Sequence, residues 1–177
     1  MLNTKLIIVF GVSGIGKTTA CANYASRNSN VAHFMASALL SLHRETAGTR
    51  TIDKAMQDQR LLVDLVCTLR LETQASILLL DAHNLIVVAG CEIVIPVNII
   101  AAMKPTGLIF FRANGTIVSS RRVSRGDTKD VSSGEIERLQ MNALKAVKSY
   151  ANQIPCPLAI VDADQGIDLS DAIRRLS

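Results

Sequence analysis

Eight consecutive residues, Gly11-Val12-Ser13-Gly14-Ile15-Gly16-Lys17-Thr18, carry the spacing G-x-x-x-x-G-K-T. Glycines at 11, 14 and 16 let the backbone curl and aim successive N–H groups at one point, a nest suited to an anion. A helix starting near Gly16 adds the positive end of its dipole. Lysine at the seventh place can reach the β- and γ-phosphates of a triphosphate, and the hydroxyl at the eighth can coordinate Mg²⁺. Gly11, Ser13, Gly14, Ile15, Gly16, Lys17, Thr18 and Thr19 are therefore the expected ATP-binding residues, with Thr18 also on the metal. No N-K-x-D guanine-selecting motif is present.

Asp81 comes directly after four aliphatic residues, Ile77 to Leu80. A buried strand ending in an acid presents that acid at the carboxyl edge of a sheet, where ligands of open α/β sheets collect. Asp81 can hold the Mg²⁺ shell with Thr18, act toward a phosphoryl acceptor, or cap the next stretch of chain. His83 is open to a ligand contact or a structural one. Arg121, Arg122, Arg125 and Lys129 lie within nine residues. Such a cluster is either a solvated face or a set of cations for phosphoryl transfer, where the charge spreads over equatorial oxygens. The expected catalytic residues are Lys17, Asp81, Arg121, Arg122 and Arg125. Arg44, Arg50 and Arg60 are further candidates for an acceptor phosphate.

The elements that must position these groups can be read from the pattern. Leu6 to Phe10 is a buried strand directly before the loop, and Thr19 to Arg27 continues as a helix. Val31 to Met35 reads as a strand, and Ser37 as the cap of a helix reaching about His43. Glu45 to Thr51 reads as loop. Leu61, Leu62, Leu65, Val66 and Leu69 give Lys54 to Thr73 one apolar face. After the strand Ser76 to Asp81, the stretch Leu85 to Pro96 fits no element and is broken at Ala89-Gly90. Helices over about 97–103, 116–123, 135–152 and 169–176 alternate with strands at 108–111 and 158–161. This alternation argues a five-stranded parallel sheet flanked by helices on both faces, an α/β fold. One domain is expected over residues 1–177, with Ser124 to Gly134 as a mobile loop and a small lid over about 121–134.

Composition bounds the rest. The chain has 177 residues, 49% hydrophobic and 19% charged, enough for one full core. Net charge is only +4, and no aromatic residues lie among the clustered arginines, which argues against nucleic acid. Cys21, Cys67, Cys91 and Cys156 are far apart, without zinc-ligand spacing; Cys67 and Cys156 read as packing residues. No targeting or membrane-spanning segment is seen, so a cytoplasmic protein is expected.

Three stretches together resemble archaeal-type adenylate kinases, a compact branch of the nucleoside monophosphate kinases. They are the loop with its adjoining Thr19, L-L-L-D-A-H-N-L-I at 78–86, and D-T-K-D at 127–130. Asp81, His83 and Ile86 occupy the family's D-x-H-x-x-I motif. The resemblance implies the P-loop NTPase fold, Mg·ATP as donor, an arginine-rich lid, a nucleoside monophosphate such as AMP as small-molecule acceptor, and homo-oligomers such as trimers. The pattern departs after Ile86: Val87 stands where the family places a basic residue that helps hold the acceptor phosphate. Lys129-Asp130 likewise replaces a doubled arginine. Three functional readings are compatible with these residues: transfer from ATP to AMP or a related monophosphate, transfer to a non-nucleotide small molecule, or a nucleotide-binding module with weak ATPase activity.

Overall fold

The computed structural model describes residues 4–43, 51–126, 131–164 and 168–176. The chain runs β1 (Lys5–Phe10), α1 (Lys17–Arg27), β2 (Val31–Met35), α2 (Ala36–His43), α3 (Ile52–Glu72), β3 (Ile77–Asp81), β4 (Leu85–Val88) and β5 (Cys91–Val94). It continues through α4 (Val97–Ala102), β6 (Gly107–Arg112), α5 (Gly115–Ser124), α6 (Ser133–Gln153), β7 (Leu158–Asp162) and α7 (Leu169–Arg175). β2, β3, β1, β6 and β7 form one parallel five-stranded sheet in that order.

Alternation along the strands divides the core into two layers. Leu6, Ile8 and Phe10 pack with Leu78, Leu80, Leu108 and Phe110 against α2, α3, α4 and α6. Ile7 and Val9 pack with Leu79, Ile109 and Phe111 against α1, α5 and α7. A sheet covered on both faces explains why its strands read as continuous apolar runs rather than alternating ones.

Two expectations need correction. Ser37 does not cap α2: the helix starts at Ala36, directly after β2, and leaves Ser37 in its first turn. Leu85 to Val94 is an antiparallel hairpin, β4 on β5, with Leu85 opposite Val94 and Val88 opposite Cys91. Its turn residues Ala89 and Gly90 have φ of 49° and 80°. Two positive values are what a two-residue hairpin of right-handed twist needs, and the alanine in the first place hid the usual Asn-Gly or Asp-Gly signal.

Arg44, Arg50 and most of the expected loop at 45–51 lie outside the described residues, as do residues 127–130 with Lys129. The described residues hold no helix long and apolar enough to cross a membrane.

Candidate active site

Register carries Asp81 to the loop. It pairs with Val9 on one side and Met35 on the other, just before β1 gives way to Gly11. Strand parity puts its side chain on the same face as Leu79, the face covered by α1. The Thr18 hydroxyl donates to Asp81 Oδ2, and Lys17 Nζ lies 3.7 Å from Oδ1. Lys17 is only 4% exposed and Asp81 7%. Burial pushes the Lys17 ammonium below its ordinary value, with the Asp81 carboxylate opposing that shift. Lys17 Nζ also donates to Gly11 O at 2.9 Å and Val12 O at 3.2 Å, and sits 3.4 Å from His83 Nε2. Cys21, one helical turn further along α1, is a buried thiol that desolvation pushes up to about 12, so it is an inert packing group.

Thr18 and Asp81 supply adjacent oxygen donors, the ligand type Mg²⁺ prefers, and two protein ligands suffice where phosphates and waters complete the octahedron. The described residues contain no group of three or more His, Cys, Asp or Glu that could hold a metal.

The three expected arginines do different things. Arg121 and Arg122 lie within α5, not in a loop, and Arg125 is the residue that ends it. Arg121 donates to Ile15 O at 2.9 Å and Ala163 O at 3.2 Å, bracing the phosphate loop against the end of β7. Arg122 Nε donates to Ser13 O at 3.0 Å. Arg125 lines the loop cavity itself and its charge helps depress Lys17. Together Arg122 and Arg125 lie across Gly14. A Cβ built there would fall 2.7 Å from Arg122 Cγ and 3.1 Å from Arg125 Nη2, at a φ of +86°. Gly14 is thus required by both its conformation and its neighbours. Arg60 is exposed on α3.

Two cavities meet at this point. The smaller, about 110 Å³, is lined by Ser13, Gly14, Gly16, Lys17, Thr18, Thr19, Ser37, Asp81, His83 and Arg125. The larger, about 390 Å³, extends beneath the hairpin and is walled by residues of α2, α3, α6 and β4, among them Leu40, Gln59, Leu62, Ile86, Val87 and Ala143. Ser13, Ser37 and His83 line both. The hairpin roof is held in place by polar ties. The Asn84 backbone carbonyl accepts from Ile95 N at 2.9 Å and its side-chain amide donates to Ala143 O at 2.7 Å, while the Tyr150 hydroxyl donates to Ile95 O. Glu92 of β5 accepts from Asn142 at 3.0 Å and pairs with Arg138, both on α6.

Of the expected site residues, Ser13, Gly14, Gly16, Lys17, Thr18, Thr19, Asp81 and Arg125 converge on the smaller cavity. Gly11 lines the larger one, Ile15 is fully buried beneath the loop, and Arg122 lies on the larger cavity. Sequence reasoning missed Gln59, Ser37 as a lining residue, and the Glu92 tie. Gln59 had a signal: it interrupts the buried stripe Ala55, Leu62, Val66 of α3 with a polar side chain. Glu92 had none, because its partners lie about fifty residues away.

A family model described as "AAA domain" matches residues 10–140, which span the loop, Asp81, the hairpin and the α5 arginines. No curated protein matches the sequence. Among solved structures, the Deinococcus radiodurans tunicamycin resistance protein superposes with TM-score 0.59 at 14% identity, over 88% of this chain and 98% of that one. A gluconokinase from Sinorhizobium meliloti 1021 gives 0.53 at 14%, over 98% and 90%. A provisionally assigned kinase of Chloroflexus aurantiacus j-10-fl gives 0.58 at 18%, over 98% and 97%. At these identities the likeness establishes the shared fold.

Proposed function

The chain belongs to the AAA domain family, and from that premise we propose that it is an ATP-dependent phosphotransferase acting on a small molecule. The observation that carries this reading is that the loop cavity of about 110 Å³ and a larger chamber share Ser13, Ser37 and His83 at their junction. An acceptor in the chamber would present its hydroxyl to the terminal phosphate held at the loop, which is the alignment phosphoryl transfer needs.

The roles follow from position. The loop N–H groups and Lys17 bind the phosphates; Lys17 leaves Gly11 O and Val12 O to do so. Thr18 and Asp81 would hold Mg²⁺, which supplies charge neutralisation when bound. Arg125 stabilises negative charge on the transferring group, while Arg121 and Arg122 hold the loop in shape. The acceptor oxygen bonds to the γ-phosphorus, the bond from that phosphorus to the β,γ-bridging oxygen breaks, and ADP leaves with the electron pair. His83, which lines both cavities, takes the hydroxyl proton.

Two acceptor classes compete. A nucleoside monophosphate is favoured by the Asp81, His83, Ile86 resemblance. A non-nucleotide acceptor is favoured by the chamber, where Arg122 is the one Lys or Arg among the described lining residues and already donates to Ser13. Val87 at the family's basic position points the same way. We take the non-nucleotide acceptor as the better reading. ADP release from Mg·ATP, measured with and without AMP, gluconate and a panel of neutral alcohols, tests the activity. A rate that no acceptor raises above plain hydrolysis would reject it in favour of a nucleotide-binding module.

A further inference from the structure

One side chain lining the chamber is a buried glutamine whose amide no described residue pairs. α3 turns Ala55, Gln59, Leu62, Val66 and Arg70 inward. Arg70, at the far end of this stripe, is fully employed: its guanidinium donates to Thr4 O, Met103 O and Lys104 O at 2.8–3.2 Å. Gln140 on α6 is as buried as Gln59, and it closes both ends of its amide on Ala113, accepting from the N–H at 2.9 Å and donating to the carbonyl at 2.8 Å. Asn84 gives its amide to Ala143 O. Gln59, only 7% exposed, makes no hydrogen bond to any described residue and lines the chamber. Its amide opens onto the chamber, so a molecule bound there takes it out of water, which is unfavourable unless a polar group on that molecule pairs with it.

The surrounding wall states the rest of the ligand's chemistry. Leu40, Leu62, Ile86, Val87 and Ala143 are apolar; the described lining residues include no Asp, Glu or Lys, and the one Arg, Arg122, donates to Ser13 O. A volume of about 390 Å³ is in the range of pockets that enclose small organic ligands. Such walls discriminate weakly by themselves, since an extra methylene changes binding little. A buried hydrogen-bonding group discriminates strongly against any ligand that leaves it unpaired.

We propose that the acceptor is an uncharged alcohol with a largely apolar body, selected through a carbonyl, amide or second hydroxyl that pairs with Gln59. The identity of the reacting hydroxyl rests on the phosphotransferase reading; the binding preference does not. Gln59 is thus a specificity residue on the α3 wall of the chamber.

The test is calorimetric binding to the whole protein with Mg²⁺ and a non-hydrolysable ATP analogue. Probes are N-acetylphenylalaninol, 3-phenylpropanol, AMP and gluconate. The amide-bearing alcohol should bind most tightly. Gln59→Leu should weaken it roughly ten- to hundredfold while leaving 3-phenylpropanol within about twofold. The same variant should melt no lower than wild type, because Gln59 makes no hydrogen bond to a described residue that leucine would break; a merely structural glutamine would lower the melting temperature instead. Gln59→Met serves if the leucine variant does not fold. Tighter binding of AMP or gluconate, no binding of the neutral probes, or affinity unchanged in Gln59→Leu overturns the proposal. ADP formation measured in parallel separates the two readings. Neutral binding without transfer supports the ligand class and removes the kinase activity. Faster transfer to AMP keeps the activity and overturns the ligand class.

Discussion

The loop cavity and the chamber beneath the hairpin touch at three residues and are built on opposite principles. The first is polar, about 110 Å³, and most of its wall is the single segment 13–19. The second is mostly apolar, more than three times as large, and is assembled from α2, α3, the hairpin, α5 and α6. Phosphate recognition is thus a backbone property, available wherever a strand, a glycine-rich turn and a helix start succeed one another. Acceptor recognition depends on side chains that meet only when several elements pack together. This contrast explains how one loop pattern can serve proteins whose second chambers differ.

The comparison can be broken most directly at Lys17. Lys17→Ala should cut ADP formation by about 10²–10³ or more, since one preorganised charge at the transferring group is worth that much. Circular dichroism should still show the α/β fold. Wild-type turnover in this variant would mean that the loop is not the donor site. The arginines give the next largest effect and divide the donor side internally. Arg125→Ala should lower kcat by about 10–10². Arg121→Ala should instead lower stability by about 1–3 kcal/mol, because it removes two hydrogen bonds that brace the loop. Equal kinetic losses and equal melting curves would remove the distinction between them.

On the acceptor side the expected effects are smaller. Val87 is 51% exposed at the chamber wall. Val87→Arg restores a cation at the position where the resembled family has one, and should raise kcat/KM for AMP by roughly tenfold while lowering it for neutral alcohols. No shift between the two acceptor classes would show that the hairpin does not decide selectivity. The smallest effect belongs to the Glu92 tie. Asn142 and then Arg138 hold the Glu92 carboxylate below its ordinary value of 4.5. A depressed carboxylate contributes stability above its unfolded value and loses it as pH falls through the folded one. Hydrogen exchange of the hairpin amides should therefore gain a modest excess over that of the five-stranded sheet as pH drops below about 4.5. Glu92→Gln should abolish that excess. An identical pH response in the variant would mean the tie does not hold the roof.

Legibility in the sequence tracked the range of the interactions. The helix expected over 54–73 is Ile52–Glu72, because its stripe repeats every three or four residues within the helix itself. Val31–Met35 falls where expected, bounded by turn residues at one end. The hairpin was illegible for a physical reason. Leu85 to Val88 are all apolar, so no alternation marks a strand, and the turn uses alanine where asparagine or aspartate is usual. The arginines could be recognised as a cluster but not sorted. Their roles depend on how α5 lies over Ser13, Gly14 and Ile15, about a hundred residues earlier in the chain.

By itself the sequence determined the loop, its strand and helix, and Asp81 at the end of β3, since each rests on neighbours within a few residues. It also determined the layered α/β order, through apolar runs that only a sheet covered on both faces explains. The tertiary structure alone decided that Arg125 rather than Arg121 lines the loop cavity, and that a hairpin tied to α6 borders a chamber. It alone showed that Gln59, unlike Gln140 and Arg70, reaches no protein partner among the described residues. These are facts about groups distant in sequence, and no local pattern encodes which of them will meet.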